Sequence, residues 1–100
     1  MTTVIFSHGQ ESGPWGTKIK AMAAMVKELG CHTDSIDYQG IADPTERVGK
    51  LVTECQGVDD TLILVGSSMG GHVATAAAEK VNAAGLFVLA PAYYMQGYEE

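Results

Sequence analysis

The stretch that decides the fold is Leu62-Ile63-Leu64-Val65-Gly66-Ser67-Ser68-Met69-Gly70-Gly71-His72. Its opening apolar run follows Thr61 and predicts a strand buried on both faces of a sheet. From Met69 to Asn82 the sequence is rich in alanine, which predicts a helix whose small side chains let it pack close to that sheet. The glycine-rich segment between the two predicts a sharp strand-to-helix turn.

The rest of the chain repeats this order of a short apolar run and a longer helical pattern, which is typical of βαβ units in a parallel sheet. Further strands are predicted over residues 3–7, 32–38 and 86–89, and further helices over 17–29 and from Asp43 onward. Gly30 ends the first of these helices, and Asp43-Pro44-Thr45-Glu46 opens the second as a capping box. We therefore predict an α/β fold with a parallel sheet of about four strands and helices on both faces.

Gly66-Ser67-Ser68-Met69-Gly70 fits the pattern G-x-S-x-G at a strand-to-helix turn, which is typical of a nucleophile elbow. In this interpretation Ser68 is the nucleophile. The backbone N–H of Met69, at the helix N-terminus, donates to an oxyanion. The alternative is a turn that needs glycine and serine only for its geometry and for capping.

A second motif, Ser7-His8-Gly9-Gln10, comes directly after the first predicted strand. An acyl-transfer site needs a second N–H donor aimed at the same oxygen, and a His-Gly loop beside the elbow can supply it. We predict that the Gln10 amide is this donor. The two loops can meet only if the first and third predicted strands are neighbours, so these strands should form the switch point of the sheet.

With these two motifs in place, the chain resembles the α/β-hydrolase superfamily, especially its small single-domain esterase-like members. The resemblance extends over nearly all of residues 3–92 and implies the strand order second, first, third, fourth. It further implies a serine hydrolase that acts on a small ester or thioester through an acyl-enzyme at Ser68, with no cofactor. Trp15 and Tyr93 lie in loops at the same end of the sheet, where they either line the substrate pocket or pack the loops onto the core.

The catalytic partners of Ser68 are the main departure from this pattern. In the superfamily the acid and then the histidine follow the serine along the chain, but His72 is the last histidine here. We expect His72 to bond locally on its own helix and His32 to lie on the surface, while the resemblance gives His8 a role in shaping its loop. We therefore expect residues 1–100 to be the N-terminal part of a single hydrolase domain, inactive alone, with the triad acid and histidine beyond residue 100.

Other kinds of function are less well supported by the residues. A catalytically inactive α/β-hydrolase-fold binding protein would keep the elbow for its architecture and use the crevice to hold a partner. An anion-binding loop at the N-terminus of the helix is a third interpretation. However, no G-K-[ST] follows the glycines, and Gly66-Ser67-Ser68 replaces G-x-G.

Composition narrows the partners and the compartment. The net charge is −6 and the few basic residues are scattered, so we expect no nucleic-acid partner. No apolar run approaches the roughly 18 residues of a membrane helix, and Val4-Ile5-Phe6 follows the N-terminus without the features of a secretory signal. Cys31 and Cys55 have no metal-ligand spacing and are interpreted as reduced thiols of a cytoplasmic protein.

Overall fold

The protein folds as alternating strands and helices. A computed structural model describes residues 2–9, 13, 15–58, 61–67 and 69–89. In chain order its elements are β1 (Thr2–Ser7), α1 (Thr17–Glu28), β2 (His32–Ile36), α2 (Pro44–Cys55), β3 (Thr61–Ser67), α3 (Met69–Val81) and β4 (Gly85–Leu89).

The strands form one parallel sheet in the order β2-β1-β3-β4. Phe6 of β1 pairs with Ser35 of β2 on one side and with Val65 of β3 on the other. The adjacent placement of β1 and β3 confirms the predicted strand order. It also explains their continuous apolar runs, because a strand with a neighbour on each side and helices on both faces has no side open to water.

The helices cover the two faces of the sheet unequally. On one face α1 packs Ile19 and Ala23 against Val4, Phe6 and Val65. On the other face α2 and α3 enclose the larger core, whose members include Ile5, Leu51, Leu64, Val73 and Ala77. Side chains of β1 alternate between the two cores as the period of a strand requires. The prediction of helices on both faces is thus confirmed.

Two helix ends follow the sequence signals closely. Asp43 caps α2 by accepting a hydrogen bond of 3.0 Å from the Thr45 N–H, and Pro44 occupies the first helical position. Gly30 follows the end of α1 with φ +85°, a conformation that glycine adopts without strain. Both termini are therefore set locally, although Asp43 bonds the N–H of Thr45 and not that of Glu46, so the predicted capping box does not form as such.

One strand ends earlier than predicted. β2 ends at Ile36 rather than at residue 38. The reason is that the Tyr38 N–H donates to the His8 ring at 2.8 Å and is no longer available to the sheet. The side chain of Asp37 accepts from the Gln39 N–H at 2.9 Å, and this bond helps turn the chain away from the strand direction.

Candidate active site

The turn between β3 and α3, residues 66–71, is called the elbow below. Ser67 ends β3 and Met69 begins α3. The predicted nucleophile, Ser68, lies outside the described residues. A Cβ at Gly66 would overlap the backbone of Gly70 and lie 2.5 Å from the Gly71 Cα. The strand and the helix therefore approach each other so closely that only glycine fits at residue 66.

The elbow also touches the loop that follows β1, residues 7–9, called the His-Gly loop below. A Cβ at Gly70 would overlap the Ser7 carbonyl and lie 2.6 Å from the His8 carbonyl oxygen. Backbone therefore packs directly on backbone between the two motifs that the sequence singled out. Their juxtaposition follows from the adjacent positions of β1 and β3, whose last pairing joins Ser7 and Gly66.

The side chain and the backbone amide of Met69 have different surroundings. Its side chain is buried in the larger core and so does not contribute to a pocket at the sheet edge. Its backbone N–H belongs to the first turn of α3. The amides of this turn have no acceptor within the helix and form the positive end of the helix dipole. The position of the Met69 amide is thus compatible with the predicted donor role, which stays a prediction, while its side chain anchors the start of the helix.

His8 is fully buried, and both of its ring nitrogens are engaged. Nδ1 lies 2.6 Å from the Gly9 carbonyl oxygen, which can only accept, so Nδ1 carries the proton. Nε2 then has the lone pair that accepts the Tyr38 N–H. Asp37 lies 3.9 Å from Nε2, too far for a hydrogen bond. His8 is thus a neutral residue that shapes its loop, in keeping with the role implied by the resemblance.

The pKa of His8 agrees with this neutral state. Burial lowers the pKa from its ordinary value of 6.5, and the charge of Arg47 lowers it further, against the opposite effects of the Gly9 carbonyl and Asp37. A proton on Nε2 would remove the acceptor of the Tyr38 N–H. A general base needs a free lone pair directed at the nucleophile, so His8 as described does not provide one.

Tyr38 is the residue at this site that the sequence pattern did not single out. Its ring is fully buried, and its phenol shares a hydrogen bond of 2.9 Å with the Ser7 hydroxyl. Burial raises the pKa of Tyr38 to about 12, so the phenol stays neutral. The available signal was the position of Tyr38 just after β2, at the same sheet edge as the His-Gly loop.

Arg47 packs against the ring of this tyrosine and is only 2% exposed. Its guanidinium lies 5.3 Å from the centre of the Tyr38 ring, and its Nε donates to the Ile41 carbonyl at 2.6 Å. The sequence pattern did not single out Arg47. Its spacing of four from Leu51 places it on the buried stripe of α2, and this was the signal that could have found it.

The other predicted site residues are only partly accounted for. Trp15 is described and is one of the exposed large hydrophobic residues, with 42% of its surface accessible. Gln10 and Tyr93 lie outside the described residues. A Cβ at Gly13 would lie 3.2 Å from the side-chain amide nitrogen of Gln39, so Gly13 lies beside the turn that follows β2. His32 and His72 are exposed, and for His32 this confirms the predicted surface position.

The thiols and the possible metal ligands give no competing site. Cys31 and Cys55 are both free, and burial raises the pKa of Cys55 to about 11, which keeps its thiol protonated. Within the described ranges, no group of His, Cys, Asp or Glu side chains is arranged to hold a metal ion. Nor is any helix there long and apolar enough to cross a membrane.

The parallel sheet and the contact between the elbow and the His-Gly loop define a protein of the α/β-hydrolase fold. Among solved structures, the chain is similar to a candidate hydrolase of the alpha/beta superfamily from Xanthomonas campestris pv. campestris. The TM-score is 0.85 and the sequence identity 25%, over 95% of this chain and 61% of that protein. This chain therefore spans less than two thirds of the length of its structural neighbour. The similarity confirms the predicted fold class and superfamily.

Within this superfamily, the chain belongs to the uncharacterised protein family UPF0227, whose profile matches residues 3–98. A comparison with curated proteins finds no match. The matched residues include both motifs.

Proposed function

We propose that this chain carries the nucleophile and the oxyanion hole of a serine hydrolase that acts on a small carboxylic ester or thioester. Ser68 is the nucleophile, and the backbone amides of Met69 and Gln10 are the oxyanion donors. Trp15 and Tyr93 line the substrate pocket. The acid and the histidine of the triad lie beyond residue 100, in the same domain. No cofactor takes part, and the free thiols agree with a cytoplasmic location.

The observation that carries this proposal is the contact of Gly70 with the carbonyl groups of Ser7 and His8. A strand-to-helix turn that needed glycine only for its own geometry would not require the loop of another strand against it. An oxyanion hole does require this arrangement, because its two N–H donors come from different loops and must converge on one oxygen.

In the proposed reaction, the Ser68 hydroxyl loses its proton to the triad histidine, and its oxygen attacks the carbonyl carbon of the ester. The negative charge on the carbonyl oxygen is held by the two amides. Collapse of the tetrahedral intermediate expels the alcohol or thiol, which takes the proton from the histidine. Water then attacks the acyl-enzyme by the same route, releasing the acid and restoring Ser68.

A fluorophosphonate probe tests the nucleophile in the full-length protein. We expect one labelled peptide, which contains Ser68, and hydrolysis of p-nitrophenyl acetate that the label abolishes. Ser68→Ala should prevent both labelling and hydrolysis, because losing the nucleophile of a triad can cost on the order of a million-fold in kcat.

Ser67→Ala is the matched control, since Ser67 is the adjacent serine and occupies the last position of β3. This variant should still be labelled and should still turn over substrate. Labelling that survives Ser68→Ala would overturn the assignment of the nucleophile. A folded full-length protein that is neither labelled nor active would instead favour an α/β-hydrolase fold retained for binding.

A further inference from the structure

Tyr38 joins the end of β2 to the His-Gly loop by two separate hydrogen bonds. Its N–H donates to His8 Nε2 at 2.8 Å, and its phenol bonds the Ser7 hydroxyl at 2.9 Å. Tyr38, His8 and Ser7 are each at most 1% exposed. Water cannot replace either bond, so breaking one leaves a buried polar group without its partner.

The two bonds hold different parts of the loop. The phenol holds the side chain of Ser7, at the last position of β1, while the N–H holds the ring of His8 one residue later. The His8 ring in turn bonds the Gly9 carbonyl through Nδ1 at 2.6 Å. The loop is therefore held at three consecutive residues, through the side chains of Ser7 and His8 and the carbonyl of Gly9, immediately before the residue whose amide is the proposed second donor.

The Tyr38 ring is itself held in place by contacts with Arg47 and His8. The Arg47 guanidinium lies against the ring, 5.3 Å from its centre, and is held by the Ile41 carbonyl. The rings of His8 and Tyr38 also pack on each other, with their centres 5.3 Å apart. A side chain packed against two neighbours can impose a fixed geometry on the loop it bonds.

From this arrangement we propose that Tyr38 is a positioning residue for the oxyanion hole, which fixes the backbone of the His-Gly loop against the elbow through its bonds to Ser7 and His8. The inference rests on the proposed hydrolase function. It adds a residue that follows β2, a strand that contributes neither of the two motifs. Tyr38 touches no reacting atom, so its effect should appear in turnover and not in substrate affinity.

The test is a double-mutant cycle in the full-length protein with Tyr38→Phe and Ser7→Ala, read by hydrolysis of p-nitrophenyl acetate. We expect each variant to lower kcat by about tenfold with KM little changed, because a small misplacement of a donor weakens only the transition state. The double variant should be no slower than the worse single variant, because both changes break the same bond. Should Tyr38→Phe fail to fold, Ser7→Ala breaks that bond from the other side.

Thr53→Val is the control, since it removes another side-chain hydrogen bond, from the Thr53 hydroxyl to the Gly49 carbonyl on the exposed side of α2. It should leave kcat unchanged. If Tyr38→Phe lowers the melting temperature but not kcat, or if the two effects add, Tyr38 is merely structural and the inference fails. An unlabelled, inactive wild type would overturn the proposed function itself, whereas a labelled wild type with a fully active Tyr38→Phe variant overturns only this inference.

Discussion

The two loops that meet at the carboxyl edge of the sheet are held in opposite ways. The elbow is fixed by the absence of side chains, since Gly66 and Gly70 bring backbone onto backbone. The His-Gly loop is fixed by side chains, through the bonds of Ser7 and His8 to Tyr38. The first kind of contact is steric and fails at once when an atom is added. The second is a set of hydrogen bonds that can be removed one at a time.

This difference has a functional meaning under the proposed mechanism. The elbow must hold a nucleophile in a tight turn, for which close packing leaves no alternative position. The His-Gly loop must present an amide at a defined distance, and hydrogen bonds set such a distance well.

Gly70→Ala should have the largest effect, because its Cβ would overlap the Ser7 carbonyl and crowd that of His8. Neither carbonyl can move without disturbing β1. We expect a loss of about 3 kcal/mol or more in the free energy of unfolding, measured by urea denaturation. A variant as stable as the wild type would show that the two loops are not in contact.

Gly71→Ala should be milder, because its Cβ would lie 2.5 Å from the Cγ1 methyl of Val88, a side chain and not backbone. We expect a loss of about 1–2 kcal/mol in the same experiment. Combining it with Val88→Ala should recover part of this loss, since the second change vacates the space. Adding Val88→Ala to Gly70→Ala should recover none of the lost stability, because the Cβ at Gly70 meets backbone. If Val88→Ala restored both variants equally, the two glycines would not differ in the kind of atom they contact.

Acid should loosen the His-Gly loop through His8. The folded ring has a lowered pKa, so below its ordinary value of 6.5 the unfolded state binds the proton more readily. The contribution of His8 to stability is therefore complete above pH 6.5 and declines as the pH falls below it. The charges around the ring are those of Arg47 and Lys50, which oppose protonation, and of Asp37, which favours it.

The measurement compares the wild type with His8→Gln, whose amide oxygen can accept the Tyr38 N–H but takes up no proton. Stability curves should differ in slope below pH 6.5 and run parallel above it. Identical slopes throughout would mean that His8 is not held in its neutral form.

Gly49→Ala should change the free energy of unfolding least, and it should raise stability where the other two glycine variants lower it. Gly49 lies within α2 with no atom near enough to meet an added Cβ, so it is a glycine without a close neighbour. Alanine should raise the free energy of unfolding by about 0.5–1 kcal/mol through its better helix propensity. This variant serves as the control for Gly70→Ala. If both variants lost a similar amount of stability, the close backbone contact at Gly70 would not explain its effect.

The sequence predicted the frame of the site well. Apolar runs and helical spacing located the elements, and the two motifs required β1 and β3 to be neighbours, as they are. The elements depend on local sequence, and the neighbouring position of β1 and β3 follows from the rules that govern connections between parallel strands. Asp43 and Gly30 likewise act within a few residues of their positions, so their effects could be predicted directly.

The contacts of Tyr38 could not be predicted in the same way. Its partners Ser7 and His8 are about thirty residues away in sequence, and the pairing depends on the register between β1 and β2. A buried arginine such as Arg47 contradicts the usual assignment of charged residues to the surface. For Ser68, Gln10 and Tyr93, which lie outside the described residues, the assigned roles stay predictions.

The position of β1 inside the sheet, between β2 and β3, also affects how the protein is made. Phe6 pairs with Val65, so this ladder closes a loop of about sixty residues, and such long-range parallel pairing slows folding. During synthesis, β1 can pair with β2 first, but its other edge stays open until β3 leaves the ribosome. We expect the contact between the elbow and the His-Gly loop to form only at that late step.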